Sequence, residues 1–360
     1  MKQIYKSSLI LSAVFALAVL VFIVIGETKN AGLLVIALFV CFSISLVQFP
    51  KLKGFSFTVL IFAAVAAAMF YPSYFSQIGS FDLKTLIVPL LMIIMFGMGT
   101  SMSIKDFAGV LKMPKGVFVG LLCQFSIMPF VGFGLAYLSG LPKEIAAGIL
   151  LVGCSPSGLA SNVMSYISGA NLALSLTLTA IATLLAPIMT PFLMKLLADE
   201  LVPIDFWAMQ WSIIKIVIIP IVVGLIFNRL FHHKFKILEK IMPIVSMAGI
   251  AFIITIITAA GQESLLEIGL ALIAVVAIHN TSGYVLGYWA SRAVGMDQRS
   301  ARTIAIEVGM QNSGLASGLA LEMGRVATTG LAPSVFGPFM NISGSALATY
   351  WQSKKIPENQ

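Results

Sequence analysis

Glu307 is the residue most out of keeping with its surroundings. In Glu307-Val308-Gly309-Met310-Gln311-Asn312-Ser313-Gly314, one carboxylate, two amides and two glycines share a stretch that is otherwise apolar. If a helix starts near Arg299 and rises 1.5 Å per residue, Glu307 lies about 12 Å inside it. A charge near the centre of a bilayer costs on the order of 3 kcal/mol on insertion scales, so this carboxylate needs a partner. No Lys or Arg shares its depth apart from Lys215, and the other acids, from Glu27 to Glu358, fall in loops, at the ends of apolar runs or in the tail. The missing partner reads as a cation supplied from solution. Gln124, Ser161, Asn162, Ser175, Thr179, Gln311 and Asn312 supply neutral oxygens in neighbouring apolar runs, and Ser175 and Thr179, four apart, share one helical face. Oxygen-only coordination suits a hard cation such as sodium, and the chain has no Cys or His cluster for zinc or copper. Each neutral residue also has a structural reading. Ser and Thr bond back to their own helix, Gln124 can join helices, Pro129 and Pro156 can be kinks, and His279 with Asn280 reads as packing.

The elements that must hold these residues are set by composition. Of 360 residues, 59% are hydrophobic and only 10% charged, with a mean hydropathy of +1.01. That excludes a soluble globular protein, which carries about a quarter charged residues, and it excludes disorder. The net charge of +8 is spread over short loops rather than gathered on a polar face, which argues against nucleic acid. Cys41, Cys123 and Cys154 lie inside apolar runs without metal spacing. Spanning a hydrocarbon slab takes roughly 20 apolar residues. Twelve runs qualify: 7–25, 31–49, 55–72, 85–102, 115–138, 145–167, 171–195, 208–228, 241–260, 266–290, 300–323 and 327–351. They are continuously apolar rather than alternating, which excludes a β-barrel. With twelve spans, one side gathers Lys2, Lys6, Lys51, Lys53, Lys105, Lys112, Lys115, Arg229, Lys234, Lys236, Lys240, Arg292, Arg299, Arg302, Lys354 and Lys355. The other side holds only Lys29, Lys84, Lys143, Lys195 and Arg325. The asymmetry places both termini in the cytoplasm. Lys215 is read as snorkelling to an interface. The first run has the basic start of a signal peptide, but its apolar core is long and Gly26-Glu27-Thr28 is a poor cleavage site, so it reads as a retained span.

An internal repeat adds a functional clue. Ser157-Gly158-Leu159-Ala160-Ser161 recurs as Ser313-Gly314-Leu315-Ala316-Ser317, 156 positions later. The copies fall in the sixth and eleventh runs, an odd number of crossings apart, so they traverse the membrane in opposite directions. Inverted repeats of this kind mark secondary transporters. In Cys154-Ser155-Pro156-Ser157-Gly158 the proline removes a backbone donor and the glycine loosens the ladder, and the second copy has Gly309 and Gly314 at similar depth.

These residues resemble a known family. "FGMG" at 96–99, "QFSIMP" at 124–129, "GCSPSGLASNVMSY" at 153–166, "EVGMQNSGLA" at 307–316 and "NISGSALATYW" at 341–351 are similar to motifs of the bile acid:sodium symporter family, over about residues 55–352. The resemblance implies an all-α polytopic fold: a ten-helix core of two inverted five-helix repeats, about 55–197 and 205–352, whose fourth and ninth helices are broken and cross. Residues 1–54 form a two-helix extension and residues 353–360 a cytoplasmic tail. By resemblance, one sodium site uses Ser161, Asn162, Ser175, Thr179 and Glu307. A second uses Gln124, the Glu307 carboxylate, Gln311 and backbone carbonyls of Val308 and Met310. Asn312 faces the substrate near the crossing, flanked by Ser157, Gly158, Leu159 and Ser313. The family more often has Gly-Gly-Thr where this chain has Ser157-Gly158-Leu159, a departure that bears on which substrate is carried.

Two sodium ions against one carboxylate leave the site about one unit positive, and half-helix N-termini near Ser157 and Gln311 add partial positive charge. The expectation is a multi-pass protein of the bacterial inner membrane that takes sodium and an organic anion across the lipid bilayer by alternating access. The anion is bile-acid-like, or a small carboxylate such as pantoate or a keto acid. Two alternatives stand beside it. A sodium/proton antiporter would use Glu307 alone, although no acidic pair shares its depth. An intramembrane enzyme would need His279 as a base for Ser161 or Ser313, and no nucleophile signature is present.

Overall fold

The computed structural model describes residues 2–49, 52–231, 236–354 and 356. Lys51, His232, His233, Lys234 and Lys355 lie outside them. The described chain is helical apart from a two-residue hairpin, β1 (Gln77–Ile78) with β2 (Phe81–Asp82). Each apolar run is helical, because lipid offers no partner for backbone N–H and C=O groups and every one of them must be satisfied within the chain. The order is α1 (Lys2–Val24), α2 (Gly32–Leu46), α3 (Ser56–Phe70), a single turn α4 (Ser73–Ser76), α5 (Ile87–Ser101), α6 (Ile104–Lys112) and α7 (Pro114–Leu138). Then follow α8 (Lys143–Gly153), α9 (Leu159–Ile167), α10 (Leu172–Ala198), α11 (Phe206–Ile213) and α12 (Ile219–Phe231), the last two joined by a π-helical turn at Ile214–Ile218. The chain ends with α13 (Lys236–Ala260), α14 (Gln262–Ala293), α15 (Gln298–Gly309), α16 (Ser313–Glu322) and α17 (Leu331–Ser353).

Among the described residues, seven helices are long and apolar enough to cross a membrane, and α3 and Ile244–Ala260 are shorter apolar helices. The runs at 145–167 and 300–323 are absent from the seven because each is split in two: α8 and α9 have 11 and 9 residues, α15 and α16 have 12 and 10. Large apolar side chains such as Leu138 and Leu270 point outward, as a lipid-facing surface requires. The protein is a multi-span membrane protein.

Packing divides the helices into two groups. α5 lies against α12 and α13, and α13 against α3. The other group is built round α7, α10, α14 and α17, which enclose α8, α9 and α15. Within the first group the backbones of α5 and α12 nearly touch: a Cβ on Gly99 would lie 2.2 Å from the Ile221 carbonyl oxygen, and one on Gly224 2.3 Å from that of Phe96. Small residues allow this approach where no hydrophobic effect drives helices together. α2 joins α1 to α3, so the N-terminal pair is an annex to the first group.

Three features add to or differ from the sequence reading. α6 is a short amphipathic helix between two runs, started by the Asp106 carboxylate accepting from the Ser103 N–H at 2.7 Å. Lys215 finds a partner in Glu322 at 4.0 Å, which also accepts from the Ser212 hydroxyl. Arg302, read as a loop cation, is instead buried in the first half of α15. Its guanidinium donates to the carbonyls of Ser168, Trp351 and Lys354 and lies 5.5 Å from the Trp351 ring. Two helix C-termini, those of α9 and α17, present unsatisfied carbonyls there, and the cation answers both.

Candidate functional site

Pro156 has no N–H and Gly158 no side chain, which weakens the helix at this point of the run at 145–167, and here the helix is broken: α8 stops at Gly153 and α9 starts after Gly158. In the second run α15 stops at Gly309 and α16 starts after Asn312. The two gaps meet. Ser157 and Gln311 form an antiparallel bridge, in which the Gly158 N–H donates to the Met310 carbonyl at 3.2 Å and the Asn312 N–H to the Pro156 carbonyl at 2.7 Å. Each gap satisfies part of the other's freed backbone.

Other freed carbonyls are held by side chains. In the first gap, Cys154 O accepts from the Thr190 hydroxyl at 2.7 Å and Ser155 O from Gln124 Nε2 at 3.1 Å. In the second, Gly309 O accepts from Asn280 Nδ2 at 2.8 Å and Val308 O from Gln311 Nε2 at 2.5 Å. Asn280 is fixed in turn by the Ser343 hydroxyl, 2.6 Å from its Oδ1. The broken helices are also tied at their far ends, where Glu144 at the start of α8 pairs with Arg325 just beyond α16. Asp297 starts α15 as an N-cap, accepting from the Ser300 N–H at 3.0 Å. Partial burial pushes its carboxyl up, but hydrogen bonds from the Ser300 hydroxyl and backbone N–H groups outweigh this and hold it below the usual range.

Glu307 is 2% exposed and faces the first gap. Its Oε1 accepts from Ser175 at 2.5 Å; its Oε2 accepts from Ser157 at 2.6 Å and Thr179 at 2.9 Å. Asn162 Oδ1 completes the cluster, 2.8 Å from the Ser175 hydroxyl and 3.2 Å from that of Thr179. Ser161 lies 3.5 Å from Thr179 and gives its hydrogen to the Gly158 carbonyl. Ser175 and Thr179 each carry one hydroxyl hydrogen but lie in bonding range of two acceptors, Asn162 Oδ1 and a Glu307 oxygen. Oxygen lone pairs therefore exceed hydrogens in a buried space, and a bound cation would make good the shortage. This set fits a hard, oxygen-seeking ion.

The groups of the second expected ion site gather round Gln311. Gln124 Nε2 donates to Gln311 Oε1 at 2.8 Å, while Gln124 Oε1 is buried and has no hydrogen-bond partner. An unpaired buried oxygen is costly, and a cation beside it would remove that cost. The Val308 and Met310 carbonyls already accept from Gln311 and Gly158, and the Glu307 oxygens face the first cluster rather than Gln124.

Of the residues expected round the anion, Asn312 uses Oδ1 to cap α16, accepting from the Leu315 N–H at 3.0 Å. Gly158 begins α9 with no side-chain cap and Leu159 is half-buried beside it. Ser313 opens α16 close to Gly337. Ser157 points away from this group, onto Glu307. His279 bonds the Met128 carbonyl through Nε2 at 2.9 Å and meets the Phe336 ring edge on, which fits a packing role. Sequence reasoning missed Thr190, Ser343 and Arg302. It noticed Asn280 only as a polar residue late in an apolar run, a signal that did not point to the Gly309 carbonyl.

The model of the sodium bile acid symporter family matches residues 88–268. The chain is 42% identical over 309 residues to the sodium-dependent transporter YocS of Bacillus subtilis, covering 86% of this chain and 93% of that protein. It is 33% identical over 319 residues to a protein of Oryza sativa named "Probable sodium/metabolite cotransporter BASS1, chloroplastic", covering 87% and 76% respectively. It is 35% identical over 252 residues to the ileal sodium/bile acid cotransporter of Oryctolagus cuniculus, covering 68% and 72%. These relatives are named as transporters and cotransporters rather than enzymes, and the chain belongs to the sodium bile acid symporter family of sodium-dependent transporters.

Proposed function

We propose that the protein is a secondary active symporter that couples two inward sodium ions to one organic anion. The observation that carries this reading is Glu307: a buried carboxylate whose hydrogen-bond partners are the hydroxyls of Ser157, Ser175 and Thr179. A charge so placed is matched by a transported cation. The first sodium binds among Ser161, Asn162, Ser175, Thr179 and Glu307. The second binds at Gln124, the Glu307 carboxylate, Gln311 and the backbone carbonyls of Val308 and Met310, once the carboxylate and the Gln311 amide turn toward the unpaired Gln124 Oε1. Two ions against one carboxylate leave a positive site, and the N-termini of α9 and α16, brought together by the Ser157–Gln311 bridge, add partial positive charge. The anion seats there, between Gly158, Leu159, Asn312 and Ser313, with the Asn312 amide available to donate. By linkage, anion and sodium raise each other's affinity by the same factor.

The core is read as two inverted five-helix repeats, α3–α10 and α11–α17, with α1 and α2 as an extension. Transport proceeds by rocking of the α3, α5, α12 and α13 group against the group that carries the broken helices. The Lys and Arg asymmetry supports a topology with both termini in the cytoplasm, and the membrane is read as a bacterial inner membrane. A bile-acid-like anion or a small carboxylate such as pantoate or a keto acid fits the seat. The test is a thermal-shift screen of such carboxylates in sodium against potassium, followed by uptake of the best ligand into proteoliposomes. Stabilisation that needs sodium, and uptake that follows a sodium gradient and disappears in Glu307→Ala, is the expected result. Undiminished uptake by Glu307→Ala overturns the ion-site assignment.

A further inference from the structure

We infer that Ser157 is a sodium ligand of the first ion site rather than part of the anion seat, an inference that rests on the symport reading above. The argument is one of equivalence. Three hydroxyls reach the Glu307 carboxylate, those of Ser157, Ser175 and Thr179, at 2.6, 2.5 and 2.9 Å. Two of them belong to α10. Ser157 comes from a different element, the unwound segment before α9. It shares Oε2 with Thr179, whose hydroxyl lies 3.5 Å from that of Ser161, so Ser157 Oγ borders the same oxygen cluster. A hydroxyl that gives its hydrogen to a carboxylate keeps its lone pairs for a cation bound against that carboxylate. Ser157 therefore offers what Ser175 offers.

Its position is fixed from the backbone as well. The Ser157–Gln311 bridge clamps the residue between the Pro156 carbonyl, which accepts from Asn312, and the Gly158 N–H, which donates to Met310. Side chain and backbone of one residue thus touch both halves of the machinery: Oγ touches the ion-site acid and the main chain touches the second gap. Ser157 is 1% exposed, so its hydroxyl is shut off from bulk water. An anion at the start of α9 would bear directly on the residue that orients Glu307, which gives sodium and anion a physical link.

The test uses sodium chloride alone as the probe, so no organic substrate is needed. Purified full-length protein is melted across a sodium titration at constant ionic strength, with potassium as the balancing ion, for wild type, Ser157→Ala, Ser157→Gly and Ser157→Thr. Losing a hydroxyl that serves a charged group should raise the sodium midpoint of Ser157→Ala and Ser157→Gly by about tenfold, while Ser157→Thr stays near wild type. Melting in potassium alone monitors folding, and a merely structural serine would alter that temperature while leaving the sodium midpoint in place. A midpoint for Ser157→Ala within about threefold of wild type overturns the assignment; should Ser157→Ala not fold, Ser157→Gly is judged by the same criterion. A wild-type protein that sodium does not stabilise more than potassium overturns the symport reading itself, and this inference with it.

Discussion

The same five residues, Ser-Gly-Leu-Ala-Ser, occur at both helix breaks, yet the two copies are placed differently. In the first, Ser157 lies before the helix: Gly158 is the N-cap, α9 begins at Leu159, and no side chain caps it. In the second, Ser313 is already helical and Asn312 one step earlier supplies the cap. One serine therefore reaches across to Glu307 and the other lies against Gly337. The neighbouring residue differs: Asn312 has a side chain that caps α16 from the position before Ser313, whereas Pro156 at the matching place before Ser157 has no capping group. The first gap brings the Ser157 hydroxyl and the second run brings Glu307 and Gln311, so the crossing joins two dissimilar halves in one polar cluster.

The largest expected effect is that of Glu307→Ala, which removes the charge the hydroxyls of both α10 and the first gap surround. It should abolish the stabilisation that saturating sodium gives, about 2.7 kcal/mol at a hundred times Kd, as read by chemical or thermal unfolding. Next come the carbonyl holders. Thr190→Ala in the first gap and Asn280→Ala in the second each leave one buried carbonyl unpaired, at a cost of about 1–3 kcal/mol in unfolding free energy. A cost at only one of them would show that the two gaps are not held alike. Asn312→Ala removes the cap of α16 and should cost about 1 kcal/mol. The smallest effect belongs to Ser313→Ala, whose sodium midpoint should stay within about twofold of wild type. An effect as large as that of Ser157→Ala would show that the two copies do the same work.

Much of the fold could be read from the chain. The apolar runs are helical, those at 145–167 and 300–323 each as two short helices, because apolar sequence in lipid has no other way to satisfy its backbone. Pro156 and the glycines of the second motif marked the breaks, and Glu307 announced itself by its depth. The oxygens expected round it by resemblance, Ser161, Asn162, Ser175 and Thr179, do gather beside it, and the four-residue spacing of Ser175 and Thr179 explains why both reach the same carboxylate. Their role as ion ligands is what the proposed experiments test.

What the chain alone determined is therefore what depends on neighbours in sequence: apolar length, helix-breaking residues, side-chain faces and the presence of a buried acid. Tertiary structure decided which distant groups meet. Ser157 lies 150 residues from Glu307 and Thr179 lies 128 away, so no local periodicity states whether either hydroxyl points at the carboxylate. Arg302 makes the same point from the opposite direction. Its position near a run's end predicts an exposed loop charge, but α9 and α17 bring open carbonyls that accept from its guanidinium, and the side chain is buried. Short-range preference selects the elements, and the packing of those elements assigns each polar atom its partner.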